Sequence, residues 1–585
     1  MRTKDDIIQT LQAGLGQKPC DLVLKNVKLF NVFSSEILET NIYVDQGRII
    51  SIDPDVILET EKEIDCGSMY AYPGLIDSHM HFESTMLSPE ALANIVVPNG
   101  VTTLCADLME IGNVSGEDGI REMLISSKEL PYHLFIEVSS RVPTAPGLET
   151  TGAIIDDEGV DRLMQLEDSL SLGELDPSKI LNIKEEYIKK ISNTLARRKI
   201  VNGHAIGRLG QELNVYASAG ISDDHECVEV NEMIERLRVG IKVFIREGSS
   251  ERNLDTLIKG VIENDLPIEN IMFCTDDKHV DDMKKEGHIN YNVRRSIELG
   301  LSEMDALKIA TINAAKHFRI EDEVGSITPG RIADIVIAKN LTQKVPDMVF
   351  YEGKLVAKNG KMIHEVQMRK YPDWIKDTVK LLKPVNADSF VIKSNRKEKT
   401  RVRVIDLIKD QIINKYTEAD LCVQGGVIKN DIENDIVKIA VVERYGENGN
   451  VGLGFVHGST LERGALAYSM SHDHHNIVVI GTNDEDMSVA VNHVAKIKGG
   501  IAVSNNSKIL GDMVLPIGGL MSEKGVDDVE MEIKKLNELA KTLGCTLKAP
   551  FMTLSFISLP TVPELGLTDR GLIDVIAHKI IDLEV

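Results

Sequence analysis

Cysteine is scarce in this sequence: the 585 residues include seven, and no two of them form a CxxC pair. A small, odd number of scattered cysteines excludes a disulfide scaffold and favours a reducing environment. Long apolar segments are also absent, because no run reaches the ~18 residues that a membrane-spanning helix needs. The N-terminal residues MRTKDDIIQT have mixed charge and no apolar centre, so they do not predict a signal peptide. We therefore expect a cytoplasmic protein with no membrane partner.

Positive charge is the second shortage. Lysine and arginine total 66 against 91 acidic residues, which gives a net charge of −25. This excess of negative charge argues against the phosphate backbone of a nucleic acid as a partner. Apolar residues make up 43% of the chain and charged residues 27%, which is typical of soluble globular proteins. The length predicts about two to four domains.

The first chemical motif is a pair of histidines at the end of a short apolar run. In the segment YPGLIDSHMHFESTM, one residue separates His79 from His81. Side chains alternate across a strand, so both imidazoles would point to the same face. Imidazoles beside carboxylates are typical ligands of Zn, Fe or Mn, but an HxH motif alone is more often two surface histidines at a strand end. Ligands from other segments must decide between these two interpretations.

Eight short apolar runs alternate with helical patterns between residues 73 and 319. This alternation predicts an α/β fold with a (β/α)8 barrel, whose active site lies at the C-terminal ends of the strands. Residue types that bind metals end several of the runs. They are His79 and His81, Glu110, Glu174, His204, His225 and Asp276.

Two further regions flank the predicted barrel. Alternating polar and apolar residues in 1–72 and in about 320–365 predict one small β-sandwich domain, to which both segments contribute. After residue 365 the segment KYPDWIKDTVKLLKP predicts an amphipathic helix, and residues 385–585 predict a separate α/β domain. Its densest polar segment, SMSHDHHNIVVIG, contains His472 and Asp473.

The residues at the predicted strand ends are sufficient for two metal ions. A single zinc needs only three protein ligands and a water, whereas this set has four histidines and Asp276. Two metals about 3.5–4 Å apart also need a bridging anion. We favour Glu110 as the bridge, with Glu174 as the alternative. Such a centre lowers the pKa of bound water toward ~7, which predicts hydrolysis at an unsaturated carbon.

A series of segments together resembles the adenine deaminase family of the amidohydrolase superfamily, nearly from end to end. They are PGLIDSHMHFESTM, EIGNV, VPTAPGLETTGA, NGHAIG, AGISDDHE, IREGS, CTDDKH, EGHIN, ATINAAKHF, PGRIADIVI, GFVHG and SHDHHNIVVIGTND. The resemblance implies a metal-dependent barrel, a flanking β domain and a dedicated C-terminal domain. It also implies two divalent ions, Mn or Fe in preference to Zn, and conversion of adenine and water to hypoxanthine and ammonia in purine metabolism.

The resemblance also suggests roles for individual residues. Asp276 would bind metal and accept a proton from the attacking water, and Glu83 or Glu149 would protonate a ring nitrogen. The expected substrate contacts are Glu174, His472 and Asp473. We expect Arg246 and Glu247 to form a structural pair, a small-molecule purine to be the substrate, and the chain to form a homodimer.

Three alternatives concern the activity. One is a related amidohydrolase that acts on another cyclic amidine or amide. A non-catalytic relative would be expected to have lost metal ligands, and none is lost here. The cytidine-deaminase type of zinc site needs PCxxC beside HxE; His81-Phe82-Glu83 matches HxE, but the sequence has no CxxC.

The sequence departs from the family pattern at a few positions. Leu108 and Met109 stand where the family has Pro and His, and His474 stands where it has Ser. Ile206 and Arg208 change the loop after His204. We expect these changes to lie close to the substrate, where loss of a supporting contact lowers activity ~10–100-fold.

Overall fold

The computed structural model describes residues 2–408, 414–561 and 564–585. The chain starts with helix α1 (Lys4–Gly14), which Thr3 caps by accepting a hydrogen bond from the Asp6 amide. Five strands follow: β1 (Cys20–Asn31), β2 (Glu36–Asp45), β3 (Arg48–Ser51), β4 (Thr60–Asp65) and β5 (Tyr70–Pro73). Strand β1 pairs with β2 in the antiparallel sense and with β4 and β5 in the parallel sense.

Eight parallel strands then pair in chain order around a barrel. They are β6 (Leu75–Met80), β7 (Val101–Asp107), β8 (His133–Ser139), β9 (Ser169–Leu175), β10 (Ile200–Gly203), β11 (Asp223–Asp224), β12 (Lys242–Arg246) and β13 (Ile271–Cys274). The barrel closes where the Asp276 amide donates to the His79 carbonyl at 3.0 Å. Helices cover these strands, which explains their continuous apolar character. The predicted (β/α)8 barrel is confirmed.

Twelve helices lie between the barrel strands or follow the last of them. They are α2 (Pro89–Val96), α3 (Met109–Ser127), α4 (Asp157–Leu163), α5 (Pro177–Leu181), α6 (Glu185–Ala196), α7 (Gly210–Ser218), α8 (Val230–Arg238), α9 (Leu254–Glu263), α10 (Val280–Glu286), α11 (Ile289–Glu298), α12 (Glu303–Ala310) and α13 (Ile312–Phe318). The second strand is shorter than predicted. It ends at Asp107, and Leu108 leaves the extended conformation, so Glu110 lies in the first turn of α3.

The first sheet is completed by four strands that follow the barrel. They are β14 (Ile335–Ala338), β15 (Met348–Tyr351), β16 (Lys354–Lys358) and β17 (Lys361–Met362). Strand β14 pairs with β5, so segments on both sides of the barrel sequence form one nine-stranded sheet.

The segment KYPDWIKDTVKLLKP occupies residues 370–384. The prediction that it forms an amphipathic helix is wrong over most of its length. Only α14 (Asp373–Lys376) is helical. The backbone of this segment bonds to the C-terminal region instead: the Lys380 amide donates to the Arg444 carbonyl at 2.6 Å, and the Gly518 amide donates to the Ile375 carbonyl at 2.8 Å. These tertiary hydrogen bonds replace those of a helix.

Among the described residues of the C-terminal region, nine strands form one mixed sheet, three form a second sheet, and three segments are α-helical. In chain order they are β18 (Lys399–Leu407), β19 (Asn414–Gln424), β20 (Val427–Ile428), β21 (Ile436–Val442), β22 (Val451–His457), β23 (Ala465–Tyr468), β24 (Ile477–Gly481), α15 (Asp484–Lys496), β25 (Gly500–Asn505), β26 (Lys508–Val514), α16 (Val526–Thr542), α17 (Pro550–Ile557), β27 (Leu565–Thr568), β28 (Gly571–Asp574) and β29 (Lys579–Ile581). This confirms the predicted α/β character.

The C-terminal region packs on the barrel at the end where the strands terminate. Asp569 accepts hydrogen bonds from the Thr150 amide at 2.9 Å and from its hydroxyl at 2.7 Å. The Asn476 side chain donates to the Thr150 carbonyl at 2.8 Å. These bonds fix the turn between β27 and β28 and the loop that precedes β24 against the barrel. Within residues 2–408, 414–561 and 564–585, no helix has both the length and the apolar character needed to cross a bilayer.

Candidate metal centre

Four histidines converge on one carboxylate at the C-terminal end of the barrel. His79 lies in β6 and His81 follows it, while His204 and His225 directly follow β10 and β11. The carboxylate belongs to Glu174, near the end of β9. Its Oε1 atom lies 3.5 Å from His79 Nε2, 3.4 Å from His81 Nε2, 3.7 Å from His204 Nδ1 and 3.3 Å from His225 Nε2.

The arrangement contains two neighbouring groups of potential ligands that share Glu174. One group also contains His79, His81 and Asp276, and the other also contains His204 and His225. Asp276 follows β13, and its Oδ1 lies 3.6 Å from His79 Nε2 and 3.5 Å from His81 Nε2. Each group has at least three imidazole or carboxylate ligand atoms, which is the number that a catalytic metal site needs.

Hydrogen bonds orient the two histidines of the HxH motif. His79 Nδ1 donates to Glu137 Oε2 at 2.8 Å, and His81 Nδ1 faces the Asp107 carbonyl at 3.1 Å. The opposite Nε2 atoms therefore point toward Glu174. Burial alone lowers the pKa of His79. Glu137 and the surrounding carboxylates have the larger combined effect, and they raise the pKa well above its usual value. Carboxylate partners of this kind fix the orientation of metal-binding histidines.

The chemistry of the buried atoms fits divalent cations. His79 Nε2, His204 Nδ1 and His225 Nε2 are buried and have no hydrogen-bond partner among the described residues. The adjoining cavity is lined by seven carboxylates and two arginines within the described chain. Buried polar atoms are normally paired, and buried carboxylates need positive partners. Cations at the two ligand groups would satisfy both the nitrogen atoms and the excess negative charge.

Arg246 holds Asp276 in place. Its Nη1 donates to Asp276 Oδ2 at 2.8 Å and to Glu226 Oε1 at 3.0 Å. Burial raises the pKa of Asp276, but the adjacent His79 side chain and the charge of Arg246 lower it well below its usual value. The predicted pairing of Arg246 with Glu247 is wrong, because Glu247 is in contact with Arg252 at 2.8 Å.

Glu110 occupies a different place from the one expected of a bridge. Its Oε2 lies 3.2 Å from His81 Nδ1, on the side of the ring away from Glu174, and its Oε1 lies 3.6 Å from His472 Nδ1. It belongs to a separate group with Asp277 and His472. This position does not favour Glu110 as the bridge, since it touches only one of the four converging histidines.

The C-terminal region contributes His472 and Asp473 to the cavity wall. The His472 ring stacks on Phe556 of α17, with centroids 4.4 Å apart and an interplanar angle of 7°. Asp473 Oδ2 lies 3.9 Å from Arg141 Nη1, and Arg141 also pairs with Glu174. The cavity is therefore formed by both the barrel and the C-terminal region.

Glu83 and Glu149 are not among the described residues that line the cavity. Glu83 is fully buried, and its Oε1 accepts a hydrogen bond from the Ile111 amide at 3.1 Å. Burial and the charge of Glu110 raise the pKa of Glu83 well above its usual value. Burial raises the pKa of Glu149 to about 8. Neither position supports direct contact with a substrate.

Sequence reasoning missed several residues that line the cavity. They are Arg141, Glu226, Glu251, Asp277 and Phe556. Three had a local signal. Glu226 follows His225 and Asp277 follows Asp276 at strand ends. Arg141 follows β8 in the same way, whereas Phe556 lies in a distant apolar helix and had no signal.

The fold and the site define an amidohydrolase barrel, and the amidohydrolase family model matches residues 70–356. The model of the adenine deaminase C-terminal domain matches residues 411–579. An adenine deaminase of Desulforamulus reducens is 51% identical over 575 residues, or 98% of each chain. One of Dehalococcoides mccartyi is 39% identical over 581 residues, or 99% of each chain. A solved beta-aspartyl dipeptidase of Fervidobacterium islandicum aligns with 59% of this chain and 99% of its own, at 19% identity and a TM-score of 0.45. This chain belongs to the adenine deaminase family.

Proposed function

We propose that this protein hydrolyses adenine to hypoxanthine and ammonia, in purine salvage or catabolism. Water adds its oxygen to C6 of the ring, and the C6–N bond to the amino group breaks. Full-length similarity to adenine deaminases supports the substrate. The observation that carries the chemistry is the convergence of four imidazoles on Glu174 Oε1 beside an ionised Asp276.

Two divalent cations fit the two ligand groups. His79, His81, Glu174 and Asp276 would hold one, and Glu174, His204 and His225 would hold the other. When bound, the ions supply a water of lowered pKa, near ~7, and polarise the substrate. Imidazole and carboxylate ligands without thiolates suit Mn or Fe, with Zn as the alternative.

Asp276 is the proposed acceptor of the proton from the attacking water. Its Oδ2 is held by Arg246, so its Oδ1 is directed toward His79 and His81. The low pKa keeps the carboxylate ionised at neutral pH, as a proton acceptor must be. General-base catalysis by a positioned carboxylate contributes ~10²–10⁴-fold to the rate.

Glu110 is the best-placed carboxyl to protonate a ring nitrogen. It lines the cavity, whereas Glu83 does not. Burial and the charge of Glu110 raise the pKa of Glu83 well above its usual value, so Glu83 can hold a proton near Glu110. Glu110 is the proposed group that passes a proton to the ring, because it is the one of the two that lines the cavity. His472 and Asp473 would close the cavity around the ring.

The deciding experiment is metal analysis and adenine turnover by the purified protein after supplementation with Mn. We expect release of ammonia and hypoxanthine from adenine. Other purines, cyclic amidines and cyclic ureas serve as competing substrates, although nothing in the structure or the comparisons favours them. Efficient turnover of one of these, with none of adenine, would reject the proposal. Cytoplasmic location and dimeric assembly stay predictions.

A further inference from the structure

The buried carboxylate of Glu251 lines the cavity and has neither a hydrogen bond nor an ion pair with any described residue. The residue lies in the loop after β12 and is 7% exposed. Both carboxylate oxygens are buried and make no hydrogen bond with any described residue. A backbone hydrogen bond closes this loop, because the Gly248 amide donates to the Glu251 carbonyl at 3.0 Å. A buried carboxylate without a donor is costly, which indicates that a ligand supplies the donor.

Glu251 lies where a ligand at the metal centre can reach it. It lines the cavity that also contains His81, Glu174 and Asp276. It also lines a second cavity of about 640 Å³, whose wall includes Ile206 and Phe556. Within the described chain, Glu251 is in none of the groups that could hold a metal. Its position is therefore at the border between the centre and the second cavity.

Each of the other carboxylates of the cavity wall lies within hydrogen-bond or ion-pair distance of a described side chain; Glu110 has only ion-pair contacts, since neither of its oxygens makes a hydrogen bond. Glu226 contacts Arg246 at 3.0 Å, Asp473 faces Arg141 at 3.9 Å, and Asp277 accepts a hydrogen bond from Ser84. Glu110, Glu174 and Asp276 face the histidines. Among the described carboxylates of this wall, Glu251 is left as the acceptor that is free for a substrate.

The charged groups around Glu251 belong to the loop, to β12 and to the strand ends beside them. Burial raises the pKa of Glu251 most, the Arg246 charge lowers it, and Asp277, Asp276 and Glu226 raise it again. The net result is a pKa well above the usual value. A hydrogen-bond donor from a ligand would relieve this unfavourable environment.

The chemistry of a purine base supplies such a donor. The amino group at C6 must lie at the metal centre, so N9 of the five-membered ring, on the opposite edge of the base, is directed away from it. In a free base this ring carries an N–H, whereas in a nucleoside the sugar replaces that hydrogen. We propose that Glu251 accepts the ring N–H of the purine and so makes the site specific for free bases over nucleosides. This inference rests on the proposed function.

The test compares adenine with 9-methyladenine, which has no ring N–H and is smaller than a nucleoside. Sites built to bond a donor reject analogues that lack it by up to ~10⁴–10⁵-fold, so we expect at least a ~100-fold preference for adenine in kcat/KM. Glu251→Leu should lower kcat/KM for adenine ~100-fold and that for 9-methyladenine by less than about threefold. Glu251→Gln should keep most of the preference, because an amide oxygen still accepts the N–H.

Glu247→Gln is the matched control. Glu247 lies in the same loop and is also buried, but its Oε1 contacts Arg252 at 2.8 Å and its Oε2 accepts from the Leu254 amide at 3.2 Å. The Glu247→Gln variant should prefer adenine over 9-methyladenine as strongly as the wild type does. If Glu251→Leu does not fold, Glu251→Met, which keeps the length of the side chain, replaces it.

Two results would overturn the inference. One is that Glu251→Leu lowers kcat/KM for adenine and for 9-methyladenine by the same factor. The other is that the wild type has equal kcat/KM for the two bases. Calorimetry of the binding of the two bases to metal-free protein tests the Glu251 contact independently of turnover. It therefore separates a failure of this inference from a failure of the proposed adenine hydrolysis. Adenine that binds to wild type and not to Glu251→Leu supports the contact even when turnover is absent. Equal binding of adenine and 9-methyladenine rejects it.

Discussion

Replacing Glu174 with glutamine should deplete the metal centre, whereas Glu110→Gln should leave the metals bound and abolish turnover. Glu174 Oε1 lies 3.3–3.7 Å from a nitrogen of each of the four histidines. Glu110 touches only His81 among them. Both substitutions conserve shape, so the comparison isolates the charge and position of each carboxylate.

The magnitude follows from the shared position of Glu174. Two unit charges 4 Å apart attract by about 4 kcal/mol at an effective dielectric constant of ~20. An amide oxygen still faces the ions, so we take about half of this value, ~2 kcal/mol or ~30-fold in affinity for each ion. Because one carboxylate serves both ligand groups, the combined affinity should fall by about 10³-fold.

Metal content per chain after dialysis, measured by mass spectrometry, tests this expectation. We expect about two equivalents for wild type and Glu110→Gln, and less than about one for Glu174→Gln. Arg141→Gln controls for the buried Arg141–Glu174 pair, whose disruption alone can cost about 3–5 kcal/mol of stability. Full metal content in Glu174→Gln, with depletion in Glu110→Gln, would make Glu110 the bridge.

Three further substitutions test the surroundings of the centre. Glu137→Gln should weaken metal binding or kcat/KM about 10–100-fold, because Glu137 orients His79 through a 2.8 Å hydrogen bond; unchanged metal affinity and kinetics would show that this bond is dispensable. Met109 lines the cavity and cannot donate a hydrogen bond. Met109→His should therefore raise kcat/KM for adenine by up to about 10²-fold, and a loss of activity would instead give Met109 a packing role. Phe556→Ala should raise KM, because the Phe556 ring stacks on His472 at 4.4 Å. It should also lower the free energy of unfolding by about 3 kcal/mol, measured in urea, whereas an unchanged KM would separate His472 from substrate binding.

The sequence alone determined the barrel and the candidate histidines. Each histidine of the centre lies in a strand or directly after one, and alternation within β6 puts His79 and His81 on one face. These are local properties, because the apolar run and the polar residue that ends it are neighbours in the chain. The same reasoning could not place Glu110 in a helix rather than a strand, because the chain passes from β7 to α3 within two residues.

Only the tertiary structure decided which carboxylate lies among the histidines. Glu110 and Glu174 both come after an apolar run, but β9 places Glu174 toward the barrel axis, whereas Glu110 lies in a helix outside it. Arg246 donates a hydrogen bond to Asp276, which is 30 residues away in the sequence. Phe556 stacks on His472, although no sequence pattern links the two residues. Such contacts depend on how distant elements pack, and the packing is a cooperative property of the whole fold rather than of any segment.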